Sequence, residues 1–148
     1  MKIAIASDHR GYELKEYLIE KLSINEDIKV LDLGTNSTES VDFPIYGIKL
    51  GEAIKNKEVD LGIAICGTGI GISIAANKVK GVMCAKINNE KEARLAKEHN
   101  NANVIALSGE TDPEEAFNMI VTFLNSEPNQ EEKYQRRIEE ILNYENAN

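Results

Sequence analysis

Apolar residues along this chain fall into two alternating patterns. Short, nearly unbroken runs at Lys2 to Ala6, Ile28 to Leu33, Leu61 to Ile65, Val82 to Ile87 and Val104 to Leu107 have the length of buried strands. Between them lie longer stretches with helical spacing. Tyr12 to Leu22 carries Tyr12, Leu14, Tyr17, Leu18 and Leu22. Pro44 to Ile54 follows, with proline suited to a first helical turn. Gly71 to Asn77 reads as the start of a helix, and another is capped by Asn88 or Asn89 and ends near His99. Pro113 to Leu124 begins after Asp112, an N-cap residue followed by proline at N1. A final helix of about 131–146 sets Tyr134, Ile138, Ile141 and Leu142 on one face, which could pack on another subunit. Strands alternating with helices, with almost no hairpin signal, predict an α/β fold on a five-stranded parallel sheet. Strands apolar on both faces predict a sheet covered on both sides. Only 125–130, with Pro128, resembles a linker, so residues 1–148 read as one domain.

Composition adds bounds rather than detail. The 148 residues are 42% hydrophobic and 28% charged, ordinary for a globular protein. A net charge of -8 argues against nucleic acid as a partner, but leaves room for an anionic metabolite held by a few converging cations. The two cysteines, Cys66 and Cys84, fit neither a zinc pattern nor a Cys-x-x-Cys pair. Unpaired thiols, no signal-peptide pattern and no apolar run of membrane-spanning length together lead to the expectation of a cytoplasmic protein with no membrane partner.

Candidate chemistry collects where strands end. Ligands of parallel sheets bind beyond the carboxyl ends of the strands. Asp8 and His9 follow the first strand, and Cys66 with Gly67, Gly69 and Gly71 follows the third. If these strands are neighbours, as in a flavodoxin-like order, both groups face one crevice. The loop Gly67-Thr68-Gly69-Ile70-Gly71-Ile72 is not the dinucleotide fingerprint, whose third glycine would fall at Ile72, and no Gly-Lys-Ser/Thr follows it. It is either a plain strand-to-helix turn or a set of backbone donors for a phosphate or an oxyanion. Cys66 is either a small buried hydrophobe or, beside a helix N-terminus, an accessible thiolate. Cys84, mid-strand, reads as packing. His99 ends a helix and could serve as an acid or as a satisfied cap residue. The mixed-charge tail reads as a solvated helix, though Lys133 and Arg137 lie four apart and could grip a phosphate together.

Several segments resemble one family. Ser7-Asp8-His9-Arg10-Gly11-Tyr12-Glu13-Leu14-Lys15, Asp32-Leu33-Gly34-Thr35, Val41-Asp42-Phe43-Pro44, the long Ile65 to Lys78 stretch and Glu98-His99-Asn100-Asn101-Ala102-Asn103-Val104 are similar to the type B ribose-5-phosphate isomerases, a family that includes galactose- and allose-6-phosphate isomerases. The resemblance implies a Rossmann-like three-layer α/β/α sandwich and a homodimer or tetramer with shared active sites. It implies no metal and no organic cofactor. It implies an aldose–ketose isomerisation of ribose 5-phosphate and ribulose 5-phosphate through a cis-enediolate, as in the pentose phosphate pathway. Cys66 would be the base and His99 the ring opener, with Thr68 and Asp8 assisting. Asp8, His9, Gly67, Thr68, Gly69, Ile70, Gly71, Asn100, Lys133 and Arg137 would contact the sugar phosphate.

The chain also departs from the family's pattern. Glu110 stands where many members carry a substrate-binding arginine, Arg10 replaces a small residue, and Met83 replaces an arginine. The tail Gly-Gly-Arg-His-x-x-Arg becomes Glu131-Glu132-Lys133-Tyr134-Gln135-Arg136-Arg137. These changes leave two alternatives open: an isomerase of a hexose 6-phosphate, or a catalytically silent sugar-phosphate-binding subunit.

Overall fold

The computed structural model describes residues 1–148. In chain order the elements are β1 (Lys2–Ser7), α1 (Tyr12–Leu22), β2 (Lys29–Asp32), α2 (Phe43–Lys55), β3 (Leu61–Cys66), α3 (Ile70–Asn77), β4 (Cys84–Lys86), α4 (Glu90–Asn100), β5 (Val104–Ser108), α5 (Pro113–Leu124) and α6 (Glu132–Ala147). The five strands form one sheet in the order β2-β1-β3-β5-β4, with every pair parallel. β1 and β3 are therefore neighbours, Ala6 opposite Ala64 and Ser7 opposite Ile65. Their carboxyl ends open side by side at the point where successive connections leave in opposite directions.

Two faces of unlike side-chain size explain the layering. In β1, Ile3 and Ile5 point to one face while Ala4 and Ala6 point to the other; β3 repeats this with Ile63 and Ile65 against Ala64 and Cys66. The bulky face is covered by α1, α4 and α5 through Leu14, Leu18, Ala93, Ala96, Ile120 and Phe123. The small face takes α2 and α3 through Leu50, Ile54, Ile72 and Ala76. Those two helices also approach one another closely. A Cβ on Gly47 would lie 2.8 Å from that of Ala75, so the α2–α3 contact requires glycine there.

Two strands differ from their apolar runs. β2 is a largely exposed edge strand of four residues, so its pattern is not that of a sheet interior. β4 has three residues rather than the six of Val82 to Ile87, because Val82 still belongs to the turn leaving α3, where its N–H donates to the Val79 carbonyl at 3.2 Å. Each of the two strands pairs with one neighbour only, and short edges resist pairing with other chains. α6 starts beside the end of α4 and finishes where Glu145 accepts the Gly81 N–H at 3.0 Å, just before β4. It thus lies across the amino ends of the strands. Ile138 is its buried residue, while Ile141 and Tyr144 remain exposed.

One charged side chain is wholly buried. Lys15, on α1, reaches both oxygens of Asp32 at 2.9 and 3.0 Å and Glu16 at 2.8 Å, tying α1 to the end of β2. Asp32 in turn accepts the Gly34 N–H at 2.9 Å, which sets the turn beside Ser7 and Asp8. Removing one partner of a buried pair strands the other, whereas removing the charge altogether can be nearly neutral. Asp32→Ala should therefore destabilise the fold by about 2 kcal/mol, less than a fully dry pair because Asp32 is partly solvated, and Lys15→Met by much less. Urea unfolding of the two variants checks this, and equal losses would count against it.

Candidate active site

The carboxyl ends of β1, β3 and β5 bring three segments together. After β3, the chain turns through Gly67 and Thr68 into α3. Gly69 adopts a left-handed conformation with φ of 79°, and an added Cβ would sit 2.8 Å from the Leu107 carbonyl carbon. Only glycine fits such a turn without strain. The turn aims the Gly69 N–H at Cys66, whose Sγ accepts it at 3.2 Å. Cys66 is buried apart from a small window. The N–H groups of Gly67, Thr68, Gly71 and Ile72 make no hydrogen bond within the chain, and the last two are first-turn donors of α3. Ile70 has its N–H taken by Thr68 Oγ1 at 3.1 Å and its side chain exposed. The Thr68 hydroxyl is left free to donate outward.

β1 supplies the opposite wall. Asp8 is buried, and its Oδ1 accepts the N–H groups of Arg10 at 2.9 Å and Gly11 at 3.2 Å, closing the turn into α1. Its second oxygen has no partner. His9 Nδ1 accepts the Val41 N–H at 3.1 Å. An Nδ1 that accepts leaves Nε2–H as the donor of the neutral ring. The bond also ties the 36–42 segment to the site. Neither the Val41 contact nor the orphaned donors of α3 had a signal in the sequence beyond the glycines.

The second group of candidates lies elsewhere. α4 runs antiparallel to the strands and ends at Asn100, with Asn101 as a left-handed cap. Asn103 then bonds to the Met83 carbonyl and receives the Gly62 N–H, both at strand beginnings. His99 and Asn100 are therefore at the amino end of the sheet, roughly 20 Å from Cys66 for a strand of this length. His99 stacks on Tyr134 of α6, ring centroids 4.5 Å apart and 10° from parallel. Lys133 lies 5.0 Å over the same Tyr134 ring and 3.8 Å from Glu131, while Arg137 has no ion-pair partner. Tyr134, read from the sequence as an apolar helix position, is thus the residue that orients the His99 ring.

One chain does not join the two groups. A cleft of about 300 Å³ lies between α1 and α5 around Phe117 and Val121, away from Cys66. Outside the site, burial pushes the Cys84 thiol up to about 12, so it remains a neutral packing group. No three His, Cys, Asp or Glu side chains converge to hold a metal ion. No helix is long and apolar enough to cross a membrane.

A doubly wound sheet with a cysteine and orphaned backbone donors at its switch point defines an α/β enzyme whose site can hold an anionic intermediate. Comparison with known proteins narrows the class. The family model described as Ribose/Galactose Isomerase matches residues 3–141. A probable ribose-5-phosphate isomerase B of Mycoplasma genitalium is 43% identical over 147 residues, covering 97% of this chain and 95% of that protein. The Clostridium thermocellum ribose-5-phosphate isomerase B structure superposes with a TM-score of 0.94 at 43% identity, covering 99% of each chain. The structure of the Mycoplasma genitalium ribose-5-phosphate isomerase B with bound ribulose-5-phosphate gives 0.91 at 41% identity, over 99% of this chain and 97% of that one. The chain belongs to the ribose/galactose isomerase family, and it is an isomerase.

Proposed function

We propose that this enzyme interconverts ribose 5-phosphate and ribulose 5-phosphate, as the names of its relatives suggest. The observation that carries the chemistry is the Cys66 sulphur, fixed by the Gly69 N–H at 3.2 Å among unpaired backbone donors. In the open-chain aldose, the Cys66 thiolate removes the proton on carbon 2. Negative charge spreads onto the two oxygens of a cis-enediolate, where the free N–H groups of Gly67, Thr68, Gly71 and Ile72 can meet it. One hydroxyl proton passes from oxygen 2 to oxygen 1, and the Cys66 thiol returns its proton to carbon 1. The Thr68 hydroxyl, the free oxygen of Asp8 and His9 Nε2–H orient the sugar. No metal or organic cofactor enters this sequence.

Opening the furanose ring needs an acid that this half of the site does not provide. His99 has the right chemistry but stands at the other end of the sheet. A two-fold axis crossing the α2–α3 face perpendicular to the strands reverses the partner and carries its amino end to this carboxyl end. That face has an exposed apolar surface for the purpose, from Phe43, Ile45 and Ile48 on α2 and Ile70 and Ile74 on α3. The active unit is then a homodimer, or a tetramer built from two such dimers. Cys66, Asp8 and His9 come from one copy; His99, Asn100, Lys133 and Arg137 come from the other, and the two cations grip the phosphate. Residues 1–148 act as one isomerase domain in the cytoplasm, within the pentose phosphate pathway.

The test is a steady-state comparison of ribose 5-phosphate, allose 6-phosphate and galactose 6-phosphate. A kcat/KM at least tenfold higher for the pentose supports the reading. Preference for either hexose phosphate replaces it, and binding without turnover of any of the three would establish a silent subunit.

A further inference from the structure

Arg10 lies across the mouth of the Cys66 loop. It follows Asp8 and His9 at the end of β1, and its backbone is held by the Asp8 carboxylate at 2.9 Å. Its side chain extends over β3, with Cδ, Nε and Cζ between 3.1 and 3.3 Å from where a Gly67 side chain would begin. Beyond Gly67 it meets Glu110, which follows β5, at 3.6 Å. One arginine thus spans three adjacent strand ends and lies against the residue next to Cys66.

The guanidinium is poorly satisfied where it is. It makes no hydrogen bond within the chain, and its one ionic contact is long. The pair is well solvated, with side chains 61% and 79% exposed, and such pairs are weak. An arginine presents five N–H donors in a fork suited to a phosphate or carboxylate. Here nearly all of them are unused, beside the orphaned N–H groups of Gly67 and Thr68. Chain charge alone, at -8, gives no general pull on an anion, so a local cation at this position counts.

We infer that Arg10 binds the anionic substrate at the Cys66 side of the site, and that Glu110 is a competing counter-ion that weakens this binding while keeping the guanidinium over the loop. The anion is the same phosphate ester that Lys133 and Arg137 of the other copy reach in the proposed dimer, so Arg10 adds a third cation to that grip from the Cys66 side; its identity as a sugar phosphate rests on the isomerase reading. Glu110 is then a brake on affinity rather than a substrate contact. An incoming phosphate displaces it, and the exposed carboxylate returns to water at little cost.

The experiment uses the full chain and inorganic phosphate, titrated by calorimetry in wild type, Arg10→Gln, Arg10→Lys, Glu110→Gln and the double Arg10→Gln/Glu110→Gln variant. Arg10→Gln should weaken phosphate binding about tenfold. Arg10→Lys should fall in between, keeping charge but losing the fork. Glu110→Gln should tighten binding about two- to fivefold, the range of an exposed ion pair. The double variant should match Arg10→Gln, because Glu110 acts only through the arginine. With ribose 5-phosphate, Arg10→Gln should raise KM more than it lowers kcat. Unchanged affinity in Arg10→Gln would overturn the inference, as would a Glu110→Gln effect that persists without Arg10. A wild type that binds phosphate through Arg10 yet turns over none of the three sugars would refute the isomerase reading and leave this inference standing.

Discussion

Cys66→Ala is expected to lower kcat for ribose 5-phosphate isomerisation by about a thousandfold or more while changing substrate affinity little. Positioned acid–base groups supply about 100- to 10,000-fold, and Cys66 is the group proposed to move both carbon protons. Asp8 has one oxygen engaged in the turn to α1, and His9 presents an N–H donor rather than a free basic nitrogen. Affinity should survive because the groups proposed to bind substrate are elsewhere: backbone N–H groups of the loop, His9, Arg10 and the α6 cations. The substitution removes one sulphur from a small-residue face made of Ala4, Ala6, Ala64 and Ala106, so alanine is a natural occupant. Loss of the Gly69 N–H partner is the only structural cost, and that N–H can turn to solvent or substrate. Solvent exchange gives a second readout. Wild type should wash deuterium from water into carbon 1 or carbon 2, and Cys66→Ala should not. Near-normal turnover, or undiminished exchange, would remove Cys66 from the mechanism.

The sequence was most legible where local physics decides. Apolar periodicity placed every strand and helix, and Asp112, Pro113 and Asn89 marked helix starts that the structure keeps, Asn89 accepting the Glu92 N–H at 2.8 Å. It was less legible at the sheet edges. An apolar run such as Val82 to Ile87 records burial, and a residue can be buried by packing without joining a strand ladder, as Val82 is. The convergence of Asp8, His9, Cys66 and the glycines at the carboxyl ends could be anticipated, because it needed only β1 beside β3. The opposed position of His99 could not be seen until helix direction was known. Glu110 illustrates the limit most clearly. Taken alone it is a carboxylate beside an anion site; its meaning depends on Arg10, one hundred residues earlier, and no spacing rule connects them.

Complementation between two inactive variants would decide how the halves meet. Cys66→Ala and His99→Asn homodimers should each be nearly inactive on the ring form of the sugar. If each site draws Cys66 from one copy and His99 from the other, a mixed dimer contains one site with both groups intact and one with neither. Random reassociation of equal amounts makes half the dimers mixed, each with one working site of two, so about a quarter of wild-type activity should return. If the site lay within one chain, mixing would restore nothing, because every copy lacks one group. The same experiment tests the surface that joins them. Ile74 is 57% exposed in the single chain, in the middle of the apolar α2–α3 face. A charge there has no partner and should oppose association. Adding Ile74→Glu to both variants should leave each chain folded, shift sedimentation toward the monomer and eliminate the recovered activity. Recovery that survives in monomers would refute the shared site, because no single chain in the mixture carries both Cys66 and His99. Loss of recovery with dimers still intact would instead move the two-fold axis to another face.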